Sequence, residues 1–313
     1  MIGLLEAEAF AAADGLLLPI GTCGSIHSVH ADYINMQSEK GLIALVRQGR
    51  EHIPFGIEAE IRGNWLGLGL EPQQPVAFEE DSIVLGKMLK VTAIRECPRF
   101  SCQVQFTAGW QDTGEQLRRL EQICRQESMR GGMAAYLEDY TAERMLMLPA
   151  DELEEHMVRS VWQLVQGIAG QDMRKLGYGI QGLLGAGPGS TPSGDDFLLG
   201  GLSALRCLRL SGCREAQNFM IEEIRQMAPA ATTHLSVAYL HYGMQGQYHQ
   251  RIKEFMEALG TTSRENAAEH VRGILELGHS SGVDFLLGFV YGGTAALAAE
   301  AAQKTIEMKG VSK

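Results

Sequence analysis

The clearest chemical pattern runs from Gly182 to Gly201, G-L-L-G-A-G-P-G-S-T-P-S-G-D-D-F-L-L-G-G. Gly185, Gly187 and Gly189 alternate, and Ser190, Thr191, Pro192, Ser193, Gly194, Asp195 and Asp196 then lead into an apolar run. This is flexible backbone feeding a helix start. Glycine lets the main chain approach a ligand closely, and unpaired N–H groups at a helix start or in a concave nest attract anions. A phosphate or a carboxylate is the ligand such a segment would take. No Gly-Lys-Ser/Thr closes it as a P-loop, and Pro188 breaks the G-x-G-x-x-G spacing of dinucleotide sites.

The end of this segment occurs twice. Ser193 to Gly200 (S-G-D-D-F-L-L-G) returns at Ser281 to Gly288 (S-G-V-D-F-L-L-G) with seven of eight residues identical. Two such helix starts could lie side by side about a pseudo-twofold axis, with their positive ends on one site. Ser193 with Asp196, and Ser281 with Asp284, also have the spacing of a capping box, so capping and site-lining both stay open for these four residues. Capping does not require Asp195, whose counterpart is Val283, nor the three glycines. A carboxylate beside an anion nest repels the anion unless a cation or a donor intervenes. Asp195 therefore points to Mg²⁺, or to an amide or ammonium part of the substrate. The counterpart Val283 also implies that the helix start tolerates an apolar residue at position 195.

Smaller signals surround this pair. His279, in Gly278-His279-Ser280-Ser281, could be a general acid/base or a donor to an anion, or a plain buried histidine. Thr232, Thr233 and Ser236 could belong to the site or simply cap a helix. His27 and His30 are three apart and would face opposite sides of an ideal strand, so they do not read as a metal pair. The fourteen methionines read as core filler.

The elements that must position these residues change character along the chain. Up to about residue 112, short runs such as Ser25–Asn35, Gly41–Val46, Ile57–Ile61, Ser82–Leu85, Leu89–Ile94 and Cys102–Phe106 alternate with turn signals. They predict a small barrel or sandwich. Beyond it, Met157, Val161, Leu164, Val165 and Ile168 form one helical stripe, with Asp151 and Glu154 as its expected cap. Further helices are expected near 195–210, 213–227, 232–244, 247–259, 263–277 and 283–303. The reading is α+β: a β-rich domain over 1–112 and a helical domain over 113–313.

With 27 Lys and Arg against 38 Asp and Glu, the net charge is −11. That excess disfavours nucleic acid and anionic membrane as partners, though a local pocket can still bind a small anion. Met1 to Gly15 holds no Lys or Arg, so no signal peptide is expected. The charge-free run Phe285–Ala299 falls short of the roughly 20 residues that span a bilayer. Six cysteines without a C-x-x-C read as reduced thiols of a cytoplasmic protein.

Three blocks carry a resemblance: G-A-G-P-G-S-T-P-S-G-D-D (185–196), T-T-H-L-S-V-A-Y-L-H-Y-G-M-Q-G (232–246) and L-G-H-S-S-G-V-D-F-L-L-G-F (277–289). They resemble the domain-of-unknown-function family that includes the smallest subunit of bacterial oxamate carbamoyltransferase. The stretch S-I-H-S-V-H-A-D-Y-I-N, ending at Asn35, is similar to that family's opening strand. Ala186 and Ser190 stand where family loops often carry Lys and Leu, and the S-T-R-T-R signature of ordinary carbamoyltransferases is absent. The resemblance implies a subunit that acts with two other chains in anaerobic allantoin breakdown, on a small anionic ureido substrate and phosphate. Oxalurate and phosphate would give oxamate and carbamoyl phosphate. Such chemistry needs an anion cradle, donors for the carbonyl oxygen and an acid for the leaving nitrogen. Gly185, Gly187, Gly189, Ser190 and Gly194 are the expected cradle and Thr191 and Ser193 the donors. Asp195 and His279 are the expected acid/base groups, with Asp196, Ser281 and Asp284 beside them. A non-catalytic binding subunit and a structural scaffold are the rival readings.

Overall fold

The structure is a computed structural model and describes residues 4–105, 113–126, 131–149, 155–259 and 264–311. The chain divides into two compact units, Met1–Gln103 with Gln247–Lys253, and Val104–Gly246 with Glu254–Lys313. The expected boundary near 112 and the expected cap at Asp151 and Glu154 lie outside the described residues.

The first unit holds β1 (Leu5–Ala13), β2 (Cys23–Val29), β3 (Tyr33–Ser38), β4 (Gly41–Arg47), β5 (Gly56–Ala59), β6 (Pro75–Phe78), β7 (Ile83–Leu85), β8 (Leu89–Thr92) and β9 (Arg99–Phe100). The first eight form a barrel in the order β5-β4-β3-β2-β6-β7-β8-β1, closed by β1 on β5. Closure works because β1 changes partner along its length. Leu5–Glu8 pair with β8, and Ala9–Ala12 pair with β5 across a bulge. A closed barrel leaves few backbone groups on open edges. Inside sit Ile26, Ile34, Met36, Leu45 and Trp65, whose indole donates to Ile61 O at 3.0 Å.

The stretch from Ser25 to Asn35 is not one strand. It spans β2, a turn at 30–32 and the start of β3, paired antiparallel with a bulge between Ile26 and Ser28. That bulge and turn also undo the expected separation of the two histidines. His27 Nδ1 lies 3.2 Å and His30 Nε2 3.1 Å from the same Ser28 Oγ.

The helices are α1 (Thr113–Gln126), α2 (Gly132–Tyr136), α3 (Ala142–Met147), α4 (His156–Gly170), α5 (Met173–Leu183), α6 (Ser193–Leu208), α7 (Arg214–Ala231), α8 (His234–Met244), α9 (Gln250–Leu259), α10 (Arg264–Leu275) and α11 (Ser281–Val311). By length and composition α11 could cross a membrane. Yet 78% of its most apolar window is buried within the fold, so here it serves as a core helix.

The helices α6 and α11 cross with their backbones in contact. A Cβ on Gly200 would lie 2.0 Å from Phe285 O, and a Cβ on Gly288 would lie 1.9 Å from Phe197 O. These are reciprocal positions of the repeated segment, so the two copies pack about a local pseudo-twofold axis. The likeness extends backwards into two helix hairpins. Leu183 O accepts from Ala186 N, and Ala186 O from Gly194 N; Ile274 O accepts from Leu277 N, and Leu277 O from Gly282 N. Between these matched residues the first loop holds 187–193 and the second 278–281, a difference of three residues.

Gly288→Ala should cost at least about 1–3 kcal/mol, because neither carbonyl can retreat without parting the helices. Gly170→Ala, at a glycine with nothing within 4 Å of an added Cβ, should leave the melting temperature unchanged or slightly raised. Equal melting temperatures for the two variants would contradict the crossing.

Candidate functional site

The longer loop is built from backbone that few residues other than glycine accept. Gly185, Gly187 and Gly189 have φ of 72°, 111° and 103°. Both prolines lack an N–H, and the N–H groups of Gly187, Gly189, Ser190, Thr191 and Ser193 donate to no acceptor among the described residues. Gly187, Gly189 and Ser190 are exposed and Thr191 is half-buried. Five unpaired donors thus sit at the start of α6, where the helix dipole adds to their pull on an anion.

Protein contacts fix the loop from several sides. Asp195, only 2% exposed, accepts from Gly185 N at 2.8 Å and from the Thr232 hydroxyl. The Thr233 hydroxyl caps α8 by accepting from Ser236 N and also donates to Ser190 O. Thr191 Oγ1 and Ser281 Oγ are hydrogen-bonded at 2.9 Å, which joins the two loops. The expected side-by-side placement of the two helix starts is therefore present. Val283 is a poor guide to position 195. The second loop is shorter, whereas a valine at 195 would leave the Gly185 N–H without its acceptor.

The capping-box reading does not hold for α6 or α11. Ser193 and Ser281 are the first helical residues, one place too far along, and Pro192 at the cap of α6 has no side-chain donor or acceptor. The carboxylates face across the crossing instead. Asp284, fully buried, accepts from Met133 N at 2.6 Å and so tethers the start of α2. Gly132 is needed there, since a Cβ would lie 2.3 Å from Asp284 Oδ1. The Ser193 hydroxyl lies against Asp284, and the Ser281 and Thr191 hydroxyls lie against Asp196, close enough to influence each carboxyl. None completes a well-formed hydrogen bond to the second oxygen. Oδ2 of Asp196 and Oδ2 of Asp284 are buried without a partner.

Burial raises all three carboxyls above the usual range. Desolvation lifts Asp195 against the bonds from Gly185 and Thr232. It lifts Asp196 far more, helped by the charges of Asp284 and Asp195. It pushes Asp284 up to about 6 against the bond from Met133. The repulsion expected between Asp195 and an anion is countered by the unpaired N–H groups and the aligned helix starts beside it. Both oxygens of Asp195 are engaged by protein donors, so a Mg²⁺ there would compete with the contacts that hold the loop. Among the described residues no group of three or more His, Cys, Asp or Glu could hold a metal. His279 is exposed on the shorter loop, and Gly194 is buried against Leu183 O. Sequence reasoning missed Met133 and Gly132; their only signal was the Gly131-Gly132 pair.

Two family models match the chain. One, described as oxamate carbamoyltransferase subunit AllH, covers residues 183–293, and the other, described as the AllH family N-terminal domain, covers residues 8–98. No solved structure matches.

The Asp284 carboxyl makes stability depend on pH. Its folded value of about 6 lies above the ordinary 3.8, so the folded chain holds the proton more tightly than the unfolded one. Its contribution is complete below about pH 4 and lost as pH rises through 6, worth about 3 kcal/mol in all. Asp284→Asn keeps an acceptor for Met133 N and should flatten denaturant-derived stability between pH 4.5 and 7. An unchanged slope in the variant would rule out Asp284 as its source.

Proposed function

The chain belongs to the AllH family, as a subunit of oxamate carbamoyltransferase, and we propose that its glycine loop binds the reacting anions of oxalurate phosphorolysis. The observation that carries this reading is the set of five unpaired N–H groups where two helix starts meet. In this reading Gly187, Gly189 and Ser190 hold a carboxylate or phosphate oxygen. The half-buried Thr191 hydroxyl donates toward the ureido group of the substrate, while Ser193 supports it from within. Asp195 positions the loop, and His279 stands ready as a further donor to phosphate. Phosphate oxygen attacks the ureido carbonyl and oxamate leaves, and the two other subunits of the family's enzyme complete the site. Six free cysteines, five of them buried, support a cytoplasmic setting.

The engagement of Asp195 by Gly185 and Thr232 favours a second reading, a subunit that binds ligand while another chain does the chemistry. One experiment separates them. The purified chain, alone and with the products of neighbouring genes, is assayed for phosphate-dependent carbamoyl transfer, and oxamate binding is followed by calorimetry. Turnover should need the partners. Gly187→Ala, whose Cβ would lie 3.0 Å from Ser193 N at a φ of 111°, should weaken oxamate binding about 10- to 100-fold, the loss of one charge-assisted hydrogen bond. Full turnover by the isolated chain would defeat the partner requirement. Unaltered binding by Gly187→Ala would move the anion elsewhere.

A further inference from the structure

We propose that the proton taken by the leaving nitrogen starts on Asp196 and reaches the ligand through the hydroxyls of Ser281 and Thr191. The inference rests on the anion-binding reading of the loop and names the acid that reading lacks. Asp195 is spent on holding the loop, since Gly185 N and Thr232 occupy its two oxygens. His279 stands exposed on the shorter loop. Asp196 is 9% exposed and keeps one buried oxygen, Oδ2, without a partner. The hydroxyls of Ser281 and Thr191 lie close enough to influence this carboxyl, and the two are hydrogen-bonded to each other at 2.9 Å. Thr191 is half-buried at the edge of the exposed glycines. A chain of rotatable hydroxyls therefore runs from a buried carboxyl to the place where the ligand would sit.

The charges around Asp196 favour a stored proton. Burial disfavours a negative charge on Asp196, and the nearby Asp284 of α11 and Asp195 of α6 add to that effect. The start of α2 presents the backbone of Gly132 and Met133 to Asp284. No described cation bears on Asp196. The serines are arranged crosswise, Ser193 on Asp284 and Ser281 on Asp196, so each carboxyl meets the hydroxyl of the other helix. Only the second of these hydroxyls continues to the loop, through Thr191.

The step balances as follows. The phosphate oxygen forms a bond to the ureido carbon, the carbon–nitrogen bond breaks, and its electron pair remains on nitrogen. That nitrogen takes the Thr191 proton, Thr191 takes one from Ser281, and Ser281 takes one from Asp196. Hydrogen phosphate releases its own proton to solvent as it attacks, and solvent reloads Asp196 when oxamate departs.

The test uses the assembled enzyme with oxalurate and phosphate, and the parent is measured first. Thr191→Val and Asp196→Asn should each lower kcat about 10²- to 10⁴-fold, the usual range for a lost general acid, with much smaller changes in KM. Thr191→Ser, which keeps the hydroxyl, should recover most of that loss. The high-pH limb of the kcat profile should disappear in Asp196→Asn. If Thr191→Val stays folded and keeps the parent kcat, the relay is wrong. If Thr191→Ser is as impaired as Thr191→Val, the threonine acts through its methyl group and the relay is again wrong. A parent assembly that turns over no oxalurate would defeat the functional reading itself, and this proposal would fall with it.

Discussion

Everything distinctive in the helical unit follows from two glycines that let α6 and α11 touch backbone to backbone. With Gly200 against Phe285 O and Gly288 against Phe197 O, no side chain separates the helices near their beginnings. Two consequences follow at once. The two helix starts lie side by side, with aligned partial positive charge at one place. The carboxyls in their first turns are also driven out of water, which raises their affinity for protons. The aligned helix starts thereby offset part of the negative charge of the three neighbouring carboxyls.

The symmetry is local and broken in one spot. Both hairpins share the same carbonyl-to-amide links and the same glycine pressed against the preceding helix. The first loop is three residues longer, and the unpaired N–H groups of the glycine segment lie there. Extra backbone of this kind needs outside support, because glycine-rich segments lose much entropy on ordering. Asp195, Thr232 and Thr233 supply that support from α6 and from the junction of α7 with α8. The acidic residue that breaks the match with Val283 is thus explained by the loop it holds.

Local features were readable in the sequence. The repeated Ser-Gly-x-Asp segments announced paired helix starts, and strand-sized runs announced a β-rich first domain. Barrel closure was not readable, since β1 meeting β5 joins segments far apart in sequence. The bond from Met133 to Asp284 spans 151 residues and leaves no periodic trace. The capping box was misread by one position. Spacing alone cannot tell a serine at the cap from a serine in the first turn, and that single step redirects both carboxyls across the crossing. The Ser25–Asn35 stretch failed for a similar reason, because a bulge and a three-residue turn erase alternation.

The account's central claim is that an anion sits on the unpaired amides at the meeting of the two helix starts. Titrating the isotopically labelled chain with oxamate and following backbone amide resonances tests it most directly. The account predicts the largest saturable shifts at Gly187, Gly189, Ser190, Thr191 and Ser193. Saturable shifts confined to the strands of the barrel, with those five amides unmoved, would contradict it.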